Sequence, residues 1–527
     1  MSASTVQLTA SAPAGAGRRS AGTALRPTSL RVYAALVLGS LVLGSVSLLY
    51  PSTPSYDPWG WLLWGREILH LDLNTVGANT FKPFPVLFTL PFALFGKAQP
   101  DLWLALARAG AIFAVLMAFK LAARLTLWLG ASPDGRQGVS RVVAYGPALL
   151  SGAVAALSLL IAAQYVRDAA LGYSECLGAG LVLLAIDRHL DGKPRQTFVI
   201  GFFPALDRPE IWAFWGLYGV YLWFRDPGAR KLVAALFALI PILWFGPEYW
   251  GSGHFFRGVT RALHPRQNAA TFANCPFCTE LRGAWHLTLT RVKVVGAVTA
   301  LGAAIALVPA LRSRSRAQGR PELVLVVMGV MAIVWFLEIS AMTQAGFSGN
   351  QRYLIIGGAL VVVLGGVGWG VAAWKAGELI GRLVRQAPGT AIATAAAAAV
   401  FLVLPDWVGS HFPGHKLDHA LRYQAELRQD LPAVINRAGG AKKLVACGEI
   451  ETEKFQKQMV AWYLDVPSVK TPGASPDEIA GETVSGNPNV ILQARDTGTA
   501  RLQPAIPKNV RYTLIRQRTF RLYEHCK

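Results

Sequence analysis

The sequence predicts an all-α polytopic membrane protein of about ten or eleven transmembrane or re-entrant helices, closed by a small α/β domain at its C-terminal end. Three observations carry that expectation. Of the 527 residues, 53% are hydrophobic, and mean hydropathy is +0.37, as in chains that place much of their length in a bilayer. The apolar residues fall in long runs separated by short Arg-rich breaks. From about Pro405 onward the charge density returns to that of a water-soluble domain.

The basic breaks set the expected orientation. The net charge of +21 would point to nucleic acid if it lay in one compact basic domain. Here it lies in clusters between apolar runs, as cytoplasmic loops do under the positive-inside rule, so nucleic acid is not an expected partner. Residues 1–31 are rich in Ser, Ala, Gly and Thr, carry four arginines and no acid, and read as a disordered cytoplasmic tail. Residues 32–50 then exit as an uncleaved anchor, because their apolar stretch is too long for a signal peptide.

The helical domain is expected over residues 32–404. A first outer loop with interfacial helices spans 51–101. Residues 102–129 return to a loop with Arg136 and Arg141, 142–163 exit, and 171–186 return to Arg188, Lys193 and Arg195. The run 198–224 must start and end inside, since Arg225, Arg230 and Lys231 follow it. It is too short for two full crossings and too long for one, so Ala205-Leu206-Asp207-Arg208-Pro209-Glu210 is expected to turn a short helical hairpin. Residues 232–247 exit to a long outer loop over 248–291, and 292–311 re-enter to Arg312, Arg314, Arg316 and Arg320. Residues 323–342 exit, 353–374 return to Lys375, Arg382 and Arg385, and 390–404 exit for the last time.

Residues 405–527 are therefore expected outside the cytoplasm. A helical pattern covers 417–436, strand-like runs cover 443–447, 489–493, 512–516 and 519–523, and a Gly-, Pro- and Ser-rich loop lies between Pro467 and Pro488. The outer side permits disulfides. Cys275 and Cys278 have the spacing of a redox pair or half a zinc site, but no second pair with ligand spacing lies nearby, which favours a local loop staple. Cys447 and Cys526 are expected to join the end of the tail to its core, and Cys176 to pack within a span.

The outer half of this arrangement gathers Asp57, Lys82, Arg167, Asp168, Glu175, Arg208, Glu210, His254 and Arg352 from at least five segments. Ionisable residues at membrane depth cost about 2.5–3.5 kcal/mol each on insertion scales, so their default reading is a pathway or a site. Asp57 stands out, directly after the first span and just before Trp59, Trp61 and Trp64, residues of the kind that settle at a membrane interface. Arg167 and Asp168 could instead pair with each other. His254 could be a base or a surface residue, and Gly251-Ser252-Gly253 beside it reads as a flexible turn more readily than as a phosphate loop.

One acid and several arginines at a membrane surface suit transfer from a polyprenyl-phosphate sugar. Arginines hold the phosphate leaving group through bidentate contacts, and the acid takes the proton of the acceptor hydroxyl as the sugar is attacked from the opposite face. The features supporting this stand in order: Asp57 in the first outer loop, Lys82-Pro83-Phe84-Pro85, Gly172 to Glu175, Ala205 to Glu210, and Asn350 to Tyr353. In that order they resemble a GT-C class membrane glycosyltransferase, in particular bacterial mannosyl- and arabinofuranosyltransferases that use polyprenyl-phosphate sugars. The resemblance covers about residues 32–374.

The resemblance implies that Asp57 is the catalytic base. Lys82, Arg167, Asp168, Glu175, Arg208, Glu210, His254, Arg352 and Tyr353 would bind substrate. It further implies an inverting transfer of mannose or arabinofuranose to an envelope glycan, lipoglycan or glycolipid, on the outer face of the cytoplasmic membrane. Many relatives carry two acids in the first outer loop where this chain has Asp57 followed by Pro58 and Trp59; one carboxylate is a poor site for a divalent cation, so neither metal nor other cofactor is expected. The rival reading is a polyprenyl-lipid or glycolipid transporter, in which midplane charges and broken helices are natural. The sequence shows no inverted repeat, and its ionisable residues collect on one side, which weighs against that reading.

Overall fold

The computed structural model describes residues 27–130, 145–265, 269–312, 321–384, 388–404, 414–473 and 487–526. Most of the expected N-terminal tail lies outside the described residues. So do Arg136, Arg141, Arg314, Arg316, Arg320, Arg385 and much of the expected 467–488 loop.

The apolar runs become helices, which satisfy every backbone N–H and C=O within one segment. α1 (Leu30–Val46) leads to α2 (Tyr56–Leu69) and α3 (Pro83–Ala93), and then to the 30-residue α4 (Gln99–Trp128). α5 (Gly146–Leu160) meets α6 (Ala163–Ala170) at 65°. α7 (Glu175–Leu190), α8 (Pro194–Asp207), α9 (Ile211–Arg225) and α10 (Arg230–Ser252) follow. α11 (Arg257–Ala262) and α12 (Pro276–Leu287) precede α13 (Thr290–Arg312), α14 (Pro321–Gln344), α15 (Ile355–Leu383) and α16 (Gly389–Val403).

Among the described residues, six helical segments are long and apolar enough to cross a membrane, or seven if the bent pair α5–α6 counts as one span. The shorter α7, α8, α9 and α16 pack among them, so the expected polytopic all-α architecture is present. The expected break between α8 and α9 falls at Arg208-Pro209-Glu210. Arg208 is extended there, with φ −139° and ψ 118°, because the ring of a following proline disfavours the helical region. α15 runs through the core against α4, α5, α13 and α16. Its glycines permit close backbone contact: a Cβ on Gly365 would sit 2.5 Å from the Val292 carbonyl oxygen.

The tail consists of α17 (Gly414–Arg437), α18 (Ala441–Cys447) and α19 (Lys457–Leu464) with a four-stranded sheet. β1 (Ile450–Thr452), β2 (Val490–Gln493), β3 (Thr513–Arg516) and β4 (Arg521–Glu524) lie in the order β1-β2-β4-β3. β1 runs parallel to β2, and β4 pairs antiparallel with both β2 and β3. The expected strand at 443–447 is instead helix α18, and the strand follows at Ile450–Thr452. A run of four apolar residues after Lys443 has no period that separates strand from helix. Gly439 and Gly440, both at positive φ, turn the chain between α17 and α18, and Leu444 is buried. The Cys275–Cys278 and Cys447–Cys526 disulfides are both formed, while Cys176 is free and buried.

The tail is packed into the helical region. Its Leu427, Leu431, Val460 and Phe520 belong to one apolar cluster with Trp59, Trp61, Trp64 and Trp103. Trp59 lies 5.4 Å from Trp462, centroid to centroid. Arg66 donates to the Trp462 carbonyl at 2.9 Å and pairs with Asp465 at 2.9 Å, and Trp462 Nε1 donates to Gln99 at 2.9 Å. The three tryptophans of α2, expected at a lipid interface, are thus at most 2% exposed. The tail covers Trp59, and Trp103 and Phe81 of the helical region cover Trp61 and Trp64, giving all three dry, close-packed neighbours that a hydrated headgroup layer does not.

Candidate active site

Alternation of the long helices brings the ends of α1, α5, α8, α14 and the starts of α4, α7, α9, α15 to one end of the bundle. A cavity of about 1220 Å³ opens there, roofed in part by the tail. Asp57, Lys82, Arg167, Asp168, Arg208, Glu210, Arg352 and Tyr353 line it. Glu175 lies in contact with three of these residues, just behind the wall. His254 is exposed beyond the C-terminal end of α10 and does not line the cavity. The αL conformation of Gly253 ends that helix and directs the chain away.

Asp57 is in the first turn of α2, where the helix dipole favours an acid. It is not the N-cap; Ser55 holds that position, and no side chain caps the helix. Asp57 Oδ2 instead accepts a hydrogen bond from Arg352 Nη2. Arg352 belongs to the short 3₁₀ turn Gln351–Leu354 that leads into α15.

Glu175, the first residue of α7 and 1% exposed, is the centre of the charge network. Its Oε1 lies 3.2 Å from Lys82 Nζ, 3.6 Å from Arg208 Nη1 and 3.4 Å from Arg352 Nε. Lys82 also faces Asp207 at 3.6 Å, and Arg208 Nη2 donates to Glu210 at 2.5 Å. Lys82 is extended (φ −127°, ψ 112°) because Pro83 follows it. In this way two X-Pro steps aim two of the three cations at one carboxylate.

Aromatic rings hold the guanidinium groups by cation–π contact. Arg208 lies 3.6 Å from the Tyr353 ring centroid and Arg352 lies 4.4 Å from that of Tyr173. The buried Nε atoms of Arg208 and Arg352 donate no hydrogen bond among the described residues. The Nε of Arg352 faces Glu175 Oε1 at 3.4 Å, so what both arginines offer an anionic ligand is the charge of a guanidinium that lines the cavity.

Arg167 and Asp168 do not form the ion pair that their adjacency allowed. Asp168 is buried and accepts twice from Gln164, at 2.9 and 2.8 Å, while Arg167 is exposed. Sequence reasoning passed over Tyr173, Asp207 and Glu280, all at the site. Tyr173 and Asp207 stood inside the motifs singled out, so a signal existed for them. Glu280 gave none, because an acid in an outer loop is ordinary. Burial in α12 pushes its carboxyl up to about 7.

No family model matches the sequence, and no match was found among curated proteins. Among solved structures, the chain is similar to ArnT from Cupriavidus metallidurans in the apo state. The TM-score is 0.50 at 15% identity, over 94% of this chain and 98% of that one. The structure of ArnT from the same organism bound to undecaprenyl phosphate matches over the same shares, with a TM-score of 0.49 and 14% identity. The likeness establishes the fold: it is ArnT-like and agrees with the GT-C-like arrangement expected from the sequence.

Proposed function

We propose that this protein is an inverting glycosyltransferase that moves a sugar from a polyprenyl-phosphate donor to an envelope glycan, lipoglycan or glycolipid. Mannose and arabinofuranose are the sugars proposed, and the outer face of the cytoplasmic membrane is the proposed location, since every basic cluster then faces the cytoplasm. The observation that carries the reading is the Asp57–Arg352 pair in the wall of a cavity that also presents Arg208 and Lys82.

The chemistry assigned to these groups balances. A donor phosphate is held by the guanidinium groups of Arg208 and Arg352 at the cavity wall, and Lys82 adds a third positive charge beside them. Asp57, relieved of Arg352, accepts the proton of the acceptor hydroxyl while that oxygen bonds to the anomeric carbon. The bond from the anomeric carbon to the phosphate oxygen breaks on the opposite face, and polyprenyl phosphate leaves. Preorganised cations stabilise the negative charge that grows on the departing phosphate. The GT-C fold supports this reading, as it does for the general class.

Purified protein given radiolabelled polyprenyl-phosphate sugar and a glycan acceptor should release polyprenyl phosphate in an acceptor-dependent way. Saturable uptake of the intact lipid into vesicles, without release, would instead make the protein a transporter.

A further inference from the structure

We infer that Glu280, presented by α12 beside the Gly349–Arg352 turn, reads the hydroxyl pattern of a sugar held in the cavity. This role rests on the transferase reading and adds a specificity residue to it. Glu280 lines the cavity, yet it is 2% exposed. Its Oε2 has no hydrogen-bond partner, and no ion pair reaches the carboxyl among the described residues. An unpaired buried polar group is costly, so a packing role alone gives no reason for an acid here. An apolar side chain of similar size would suit the fold better.

The surroundings hold the carboxyl in place. Gly349, at φ +61°, lets the turn approach so closely that a Cβ there would lie 2.8 Å from Glu280 Oε1. The Cys275–Cys278 disulfide spans the first turn of α12, and Pro276 occupies its start. Phe277 N donates to Gln344 Oε1 at 3.3 Å, and Thr271 Oγ1 donates to the Thr343 carbonyl at 2.9 Å, tying this segment to the end of α14. A group mounted so firmly at a cavity wall is suited to select among ligands.

A carboxyl that burial lifts to about 7 is substantially protonated near neutrality and then offers one donor and one acceptor. Adjacent sugar hydroxyls present the complementary pair. Gly349 stands three residues before Arg352, so the hydroxyls read are those of a sugar close to the proposed phosphate site. Donor and acceptor share this chemistry, and kinetics separates them.

The test compares wild type, Glu280→Gln and Glu280→Met in detergent. Polyprenyl-phosphate mannose and decaprenyl-phosphate arabinofuranose serve as donors, and a panel of octyl glycosides as acceptors. Glu280→Met should raise the KM for one sugar substrate about tenfold, the weight of one to two lost hydrogen bonds, with a smaller change in kcat. Its Tm should be equal to or above that of wild type, and Glu280→Gln, which keeps a donor and an acceptor, should restore most of the KM. A rise confined to donor KM assigns Glu280 to the donor sugar, and one confined to acceptor KM assigns it to the acceptor. Unchanged KM values in Glu280→Met, or a lowered Tm that Glu280→Gln does not correct, would overturn the role while leaving the transferase standing. Wild type that releases no polyprenyl phosphate from any donor overturns the transferase reading and this role with it.

Discussion

Arg352 donates to Asp57 across the cavity wall, so the side chain proposed to hold the donor phosphate also holds the proposed base. The two functions are coupled by one hydrogen bond. While Arg352 is engaged with Asp57, one carboxylate oxygen is occupied. A phosphate that draws Arg352 away leaves that oxygen free to receive the acceptor hydroxyl.

Asp57→Asn should leave a folded protein that binds donor and has almost no turnover. Asparagine keeps the size of the side chain and one acceptor oxygen but cannot take a proton, and general-base catalysis contributes about 10²–10⁴-fold. Initial rates against donor concentration, with thermal unfolding as a control, check this. Retention of more than about a tenth of wild-type turnover would move the chemistry to another acid.

Arg208→Ala and Arg352→Ala should weaken donor binding by about 1.5–3 kcal/mol each, the range for hydrogen bonds to charged groups. Arg208→Lys should recover part of it, since a point charge replaces the charge but not the planar fork that stacks on Tyr353. Donor affinity measured by equilibrium binding reports both. Equal affinity in wild type and both alanine variants would remove these residues from the phosphate site.

Glu175→Gln should lower stability more than Asp57→Asn does. Glu175 Oε1 faces three cations at 3.2–3.6 Å, and breaking a buried ion pair from one side costs about 3–5 kcal/mol. The Asp57 side chain is more accessible than that of Glu175, at 14% against 1%, so less rests on it. Thermal unfolding of the two variants in the same detergent gives the ranking, and equal Tm values would contradict it.

Stability should fall as pH rises through the range set by Glu67 and Glu280. Burial lifts both carboxyls from 4.5 to about 7, so the folded state holds these protons more tightly than the unfolded chain. Their contribution is complete below about pH 4.5 and is lost as pH climbs toward about 7, at about 1.4 kcal/mol for each tenfold difference in proton affinity. Tm followed across that window should decline in wild type and flatten in a Glu67→Gln, Glu280→Gln double variant. A Tm of wild type that rises over the window would refute the assignment.

What the sequence made legible follows from contrast. Asp57, Arg208 and Arg352 stand at the ends of long apolar runs, where a charge is conspicuous, and the structure gathers them at one cavity. The Arg208-Pro209 break was legible because proline constrains its predecessor in any context. His254 looked similar in sequence, but which way a loop leaves a helix depends on Gly253 and on tertiary packing. Glu280 was hidden for the opposite reason, as its meaning comes from burial that only the fold creates. The tryptophans of α2 carried an interfacial signature that yields to a better partner, Trp462, some 400 residues away. No local pattern encodes such a contact.

That contact has a consequence for biogenesis. Trp59, Trp61 and Trp64 follow the proposed base on α2; Trp61 packs on Trp103 and Trp64 on Phe81, while Trp59 is covered by Trp462 and Tyr463 of the tail. Chains emerge from their N-terminus first, so the segment bearing Asp57 reaches its destination long before its cover is synthesised. Until then Trp59 lacks the two rings that cover it. The proposed site thus matures only after the tail is made, and a chain cut short before α19 leaves Trp59 uncovered and the cavity without its roof, however well its membrane helices have inserted.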